Sequence, residues 1–134
     1  MEADALLPRL RRLTHWGTLF YVLAASADSF LTWSGLGGDP RLEGNPFLRR
    51  AMETVGVGWT LAVGKGAVGL ICWFIALRGA SAIHHGEPWI WRIPMLPPVR
   101  RWIRAGDRSW IALAPLYAVA AAQALAAAAW LVSR

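Results

Sequence analysis

The chain has 134 residues, 56% of them hydrophobic and only 16% charged, with a net charge of +6. A soluble globular domain carries about 25% charged residues, and here most of the charges fall in three short stretches between long apolar runs. This segregation excludes an ordinary soluble domain and a nucleic-acid binder, because the arginines flank apolar spans, where they set topology and meet anionic lipid. The pattern predicts an all-α integral membrane protein in one domain: three transmembrane helices, with a short interfacial helix in each loop. The lone cysteine, Cys72, allows no internal disulfide and reads as a small packed residue.

The N-terminal segment holds Arg9, Arg11 and Arg12 ahead of an apolar run. That run is as long as a full span, is interrupted by Asp28, and is followed by no small-residue cleavage site, so it reads as a retained first span rather than a signal peptide. This span is expected over about residues 15–35, since about 20 residues cross the roughly 30 Å of hydrocarbon. Trp16 and Trp33 lie near its ends as aromatic belts do. Glycines and Pro40 end it. In the polar loop that follows, Glu43, Gly44, Asn45 and Pro46 favour a tight turn, with Pro46 starting a short helix to about Glu53. Glu43 has Arg49, Arg50 or Lys65 as candidate partners.

The second span is expected over about residues 55–77. It is rich in glycine, which membranes tolerate, and Arg78 closes it. The loop of residues 79–109 combines Trp89, Trp91, Trp102 and Trp110 with Arg92, Arg100, Arg101, Arg104 and Arg108. Its apolar stretch is too short and proline-rich to span, and the segment from Pro97 onward suits one or two turns of surface helix. Tryptophan and arginine in this setting point to lipid contact or to a docking surface for a partner. The third span is expected over about residues 110–132. It is dominated by alanine, and small residues on all faces can pack against more than one helix.

Lysine and arginine near the span ends give the orientation. The N-terminal segment and the second loop together hold nine, and the first loop and the C-terminus hold four. The expectation is an N-terminus in the cytoplasm, a C-terminus outside, and a prokaryotic inner membrane as the location.

Charges inside spans are costly and usually paired. Asp28 in the first span and Lys65 in the second lie roughly 10 and 15 Å below the outer ends of their helices at 1.5 Å per residue, a difference that a lysine stem bridges. Tyr21, Ala25, Asp28 and Thr32 share one face of the first helix. Gly58, Ala62, Lys65, Gly69 and Cys72 share one face of the second. Gln123 sits at a similar depth in the third. A polar cluster of Asp28, Thr32, Lys65 and Gln123 is therefore expected. It serves either as a structural pin that fixes which helices meet or as part of an ion, proton or ligand path.

Asp28, then Thr32, then Glu43-Gly44-Asn45-Pro46, then Lys65 in a second span resembles domain-of-unknown-function family 5658, small prokaryotic membrane proteins. The likeness covers about residues 15–80. It implies that Asp28, Thr32, Glu43, Asn45, Pro46 and Lys65 act as one unit, and it implies no reaction.

Nothing in the sequence specifies a cofactor. His84, His85 and Glu87 lack a fourth ligand from elsewhere, so no metal is expected. His15 lies at the membrane surface, too shallow for a pigment ligand. There is no phosphate loop, no Ser-His-Asp set and no HExxH motif, and a nucleophile would lack a base. The expected function is non-enzymatic: an accessory or scaffolding subunit of a larger inner-membrane complex, respiratory or photosynthetic, or a homo-oligomer. The expected partners are membrane lipids and other membrane subunits or the chain itself. The alternative is a small transporter or channel built on Asp28 and Lys65.

Overall fold

A computed structural model describes residues 2–106 and 108–132, and they are all-helical. Helix α1 runs Glu2–Leu36 and α2 runs Pro46–Val55. Helix α3 spans Val57–His85 and contains a π-helical turn, Ile75–Gly79. The short α4 runs Pro97–Arg104. Helix α5 spans Ser109–Val132 and opens with a 3-10 segment, Ser109–Leu113. Further 3-10 turns lie at Pro40–Leu42 and Pro88–Arg92. Each loop thus holds short helices, as the sequence suggests.

The boundaries have local causes. Gly37 and Gly38 take positive φ (56° and 84°) and stop α1, since a left-handed residue there satisfies the last carbonyls without Cβ strain. Asn45 caps α2, its Oδ1 accepting from the amides of Phe47 at 3.0 Å and Leu48 at 3.5 Å. Pro46 follows at the first helical position, where its missing N–H costs nothing. Asn45→Ala should lower the melting temperature of the detergent-solubilised chain through a loss of about 1 kcal/mol; an unchanged melting curve would mean that α2 contributes little to the fold.

Helix α3 ends eight residues later than residue 77. Arg78 and Gly79 do not stop it, because the π turn absorbs them and the helix resumes at Ala80. It finally ends at Gly86, where the Glu87 amide donates to the Ala82 carbonyl at 2.8 Å and the Gly86 amide to Ile83 at 3.2 Å, a Schellman closure. Similarly, α1 begins at Glu2, so Arg9, Arg11 and Arg12 ride on the helix rather than on a tail. The second loop shrinks to residues 86–108. Arg134, counted above for the outer side, lies outside the described residues.

Two helices, α3 and α5, are long and apolar enough to cross a membrane. Only 17% of the most apolar window of α3 is buried within the chain, which is unlike the core helix of a soluble protein. Large apolar side chains face outward on each long helix: Leu23 and Phe30 on α1, Leu70 and Ile71 on α3, and Leu125 and Leu131 on α5.

Helices α1 and α5 lie side by side and parallel. The Tyr117 hydroxyl donates to the Leu13 carbonyl at 2.8 Å, Gly17 faces Leu116 and Tyr117, and Gly35 faces Trp130. Helix α3 runs antiparallel to α1, with Gly69 against Tyr21 and Lys65 against Asp28. The main core lies among the three: Leu10, Tyr21, Ala25, Cys72, Ala76, Leu116 and Ala120. Cys72 is buried there, as a small apolar filler. A second cluster of Leu36, Met52, Val57 and Leu61 ties α2 to the ends of α1 and α3.

The tryptophan-rich loop builds its own core. Ile90, Trp91 and Ile103 pack on Ala82 near the end of α3. Of the residues expected to contact lipid or a partner, Trp91 turns inward instead. Trp91 is buried and lies beneath the Arg104 guanidinium, 4.4 Å from its ring centroid, so it offers no free surface. Trp102 meets Trp110 edge to face and carries Arg108 above it at 4.1 Å. Trp89 donates to Glu87. Trp89, Arg92, Arg100, Arg101, Trp102 and Arg104 remain exposed.

Candidate functional site: an interhelical charge pair and the groove beside it

Helices α1, α3 and α5 each send one polar side chain to a common point. Asp28 comes from a face of α1 whose neighbours, Ala24 and Ala25, are small enough for α3 to approach. Lys65 Nζ donates to Asp28 Oδ2 in an ion pair. The same Nζ donates to Gln123 Oε1 at 2.8 Å. The two charged side chains are 18% and 11% exposed, respectively. One ammonium therefore joins all three long helices.

Tyr21 adds a contact that the sequence reading did not foresee. Its hydroxyl donates to the Lys65 backbone carbonyl at 2.6 Å. In an α-helix that carbonyl already accepts from the amide four residues on, here Gly69. A Cβ at Gly69 would lie 2.5 Å from Tyr21 Cε1. The missing side chain is what lets the ring reach the helix backbone. Tyr21 and Gly69 stand on the two faces assigned to Asp28 and Lys65, so the signal was present: a large polar ring opposite a glycine.

The other expected members separate. Thr32 is buried on the same side of α1 but takes no part in the Lys65 bonds. Glu43 does not reach Lys65, nor does its carboxylate pair with Arg49 or Arg50. Its Oε1 accepts from the Asn45 amide at 2.9 Å, and its backbone carbonyl accepts from Arg49 Nε and Nη2 at 2.9 and 2.6 Å. Glu43, Asn45 and Pro46 thus shape the turn into α2, a unit separate from the charge pair.

Beside Lys65 lies an open groove of about 540 Å³ between α1 and α3. Ser26, Ser29, Phe30 and Trp33 line it from α1, and Gly58, Ala62 and Gly66 from α3. The glycines of α3 fall into two sets. Gly69 and Gly79 meet neighbours within this chain, whereas a Cβ at Gly58, Gly64 or Gly66 would touch nothing within 4 Å.

Among the described residues no group of three or more His, Cys, Asp or Glu side chains is placed to hold a metal. The rings of His84 and His85 pack edge to face, 5.1 Å apart.

Comparison with protein-family models, curated proteins and solved structures finds no match to this chain. The likeness to domain-of-unknown-function family 5658 rests on the motif residues alone.

Proposed function

We propose that this chain is a three-span inner-membrane protein, N-terminus in the cytoplasm, that acts without enzymatic chemistry as an accessory or scaffolding subunit. Its role is to seat a further transmembrane helix, from a larger respiratory or photosynthetic complex or from a second copy, in the groove between α1 and α3. In this reading α1 spans the membrane alongside α3 and α5, carrying Asp28 through it only because Lys65 meets it.

The observation that carries the reading is Gly58, Ala62 and Gly66. They recur every fourth residue along one strip of α3 and line the groove. Glycine within a helix costs about 0.5–1 kcal/mol against alanine. Small residues at this spacing let transmembrane helices approach closely. Within this chain nothing approaches Gly58 or Gly66. Ser26 and Ser29 on the opposite wall supply hydroxyls that hydrogen-bond across helices in hydrocarbon.

A transporter or channel is the weaker alternative. The lysine is already bound to a carboxylate and a carboxamide, and two opposite charges held together leave no relay to carry an ion or proton.

Native mass spectrometry after gentle detergent extraction tests the proposal. The chain should emerge at constant stoichiometry with a larger partner or with itself. Gly58→Leu combined with Gly66→Leu should release it as a monomer whose melting temperature is no lower than that of the unmutated chain, since both positions face open space in the isolated chain and leucine is the better helix former. A wild-type chain that is monomeric under these conditions would overturn the reading.

A further inference from the structure

A second cleft lies at the other end of the same helix pair, between the first turns of α1 and the π turn of α3. It encloses about 400 Å³. Arg11 and His15 face it from α1, and Arg78 and Ser81 from α3, with Leu7 and Leu77 as apolar wall. No carboxylate lines it. Among the described residues neither Arg11 nor Arg78 has an ion-pair partner, whereas Arg104 and Arg108 in the loop lie over tryptophan rings.

The π turn produces this arrangement. It buries Ala76 in the core and brings Gly79 against Ala112, where a Cβ would sit 3.2 Å from that methyl. Arg78, between them, stays exposed at the cleft. Such turns insert an extra residue into a helix and recur at functional sites.

We infer that this cleft binds the phosphate of an anionic phospholipid of the cytoplasmic leaflet. The inference rests on the three-span reading, which puts the inner span ends at about His15 and Leu77. Arg11 lies one helical turn beyond the first and Arg78 directly beyond the second, both at headgroup depth. Two guanidiniums from different helices converge on one cavity, and guanidinium matches phosphate in a bidentate geometry. Ser81 adds a hydroxyl donor. Basic pockets between spans on the cytoplasmic side suit such headgroups. The apolar wall meets the glycerol end, which favours a lipid over free phosphate.

The test uses the full chain in nanodiscs of phosphatidylcholine doped with phosphatidylglycerol, with retained lipid read by native mass spectrometry. Phosphatidylglycerol should be retained preferentially. Arg11→Ala or Arg78→Ala should each weaken retention about fivefold, and the pair roughly 30-fold, at about 1 kcal/mol for each arginine near an anionic surface. Arg11→Lys with Arg78→Lys should keep most of it, showing that the alanine variants lose charge rather than fold. Arg41→Ala with Arg50→Ala, in the other loop, should change nothing. Equal retention of the two lipids, or displacement of the lipid by soluble glycerol phosphate, would overturn the lipid site while leaving the three-span reading intact. Release of the chain from membranes by alkaline carbonate would overturn both.

Discussion

Lys65→Met is expected to destabilise the chain by about 3–5 kcal/mol, the cost of leaving a buried charge without its partner. The substitution keeps the length of the stem and removes the ammonium. It strands the Asp28 carboxylate, and it strips Gln123 Oε1 of its donor. Asp28→Asn should cost less, because Lys65 still has the Gln123 carbonyl to bond. The double variant, Asp28→Asn with Lys65→Met, should be more stable than Lys65→Met alone. It leaves no charge among the packed helices, and under the proposed three-span reading each charge costs about 2.5–3.5 kcal/mol at a helix centre. The asparagine amide can then donate to Gln123. Unfolding titrations with dodecyl sulfate in mixed micelles measure all four proteins on one scale. Strictly additive costs would show that the two residues are not coupled, and the pin that joins α1, α3 and α5 would be lost from the account. The same variants bear on transport: a proton or ion path through Asp28 would make Asp28→Asn eliminate flux in liposomes, whereas a structural pin predicts no flux in the unmutated protein.

The pair was legible because an apolar surrounding leaves a charge few options. Two opposite charges at matching depths in consecutive antiparallel helices must meet or be expelled, and helical spacing alone identifies the faces. Gln123 followed from depth by the same reasoning. Thr32 did not join them: a hydroxyl can bond locally, so sharing a face with Asp28 does not compel it toward Lys65. Glu43 misled for a related reason. Next to an asparagine cap and an arginine six residues on, its local bonds are shorter in chain separation and cost less entropy to form than a reach to Lys65. The length of α3 was illegible. Arg78-Gly79 is a reasonable stop signal, and only tertiary contacts, Ile90, Trp91 and Ile103 on Ala82, show why the helix continues. The π turn has no marker in the sequence. The fate of Trp91 could not be read either, since composition distinguishes an amphipathic loop from a soluble one but not which of its rings turns inward.

One substitution made at two glycines of α3 should act with opposite sign. Gly69→Ala places a methyl 2.5 Å from the Tyr21 ring. The ring is buried in the core and holds the Lys65 carbonyl through its hydroxyl, so it cannot swing aside without losing that bond. Overpacking costs about 1–3 kcal/mol and the hydrogen bond about 1 kcal/mol, offset by up to about 1 kcal/mol of helix propensity, giving an expected loss of roughly 1–3 kcal/mol. Gly64→Ala meets open space and should gain up to about 1 kcal/mol from helix propensity. The dodecyl sulfate titration again gives both numbers. Tyr21→Phe separates the two parts of the Gly69 effect, since it removes the hydrogen bond and leaves the ring. Equal responses at Gly69 and Gly64 would mean that Tyr21 does not pack on α3. The contrast also sharpens the case for a partner. In the proposed function, glycine at 58 and 66, where a Cβ would meet nothing within 4 Å, serves a partner helix rather than this chain's own fold. Alanine at 58 and 66 should therefore leave the isolated chain as stable as alanine at 64 does, and weaken only its assembly.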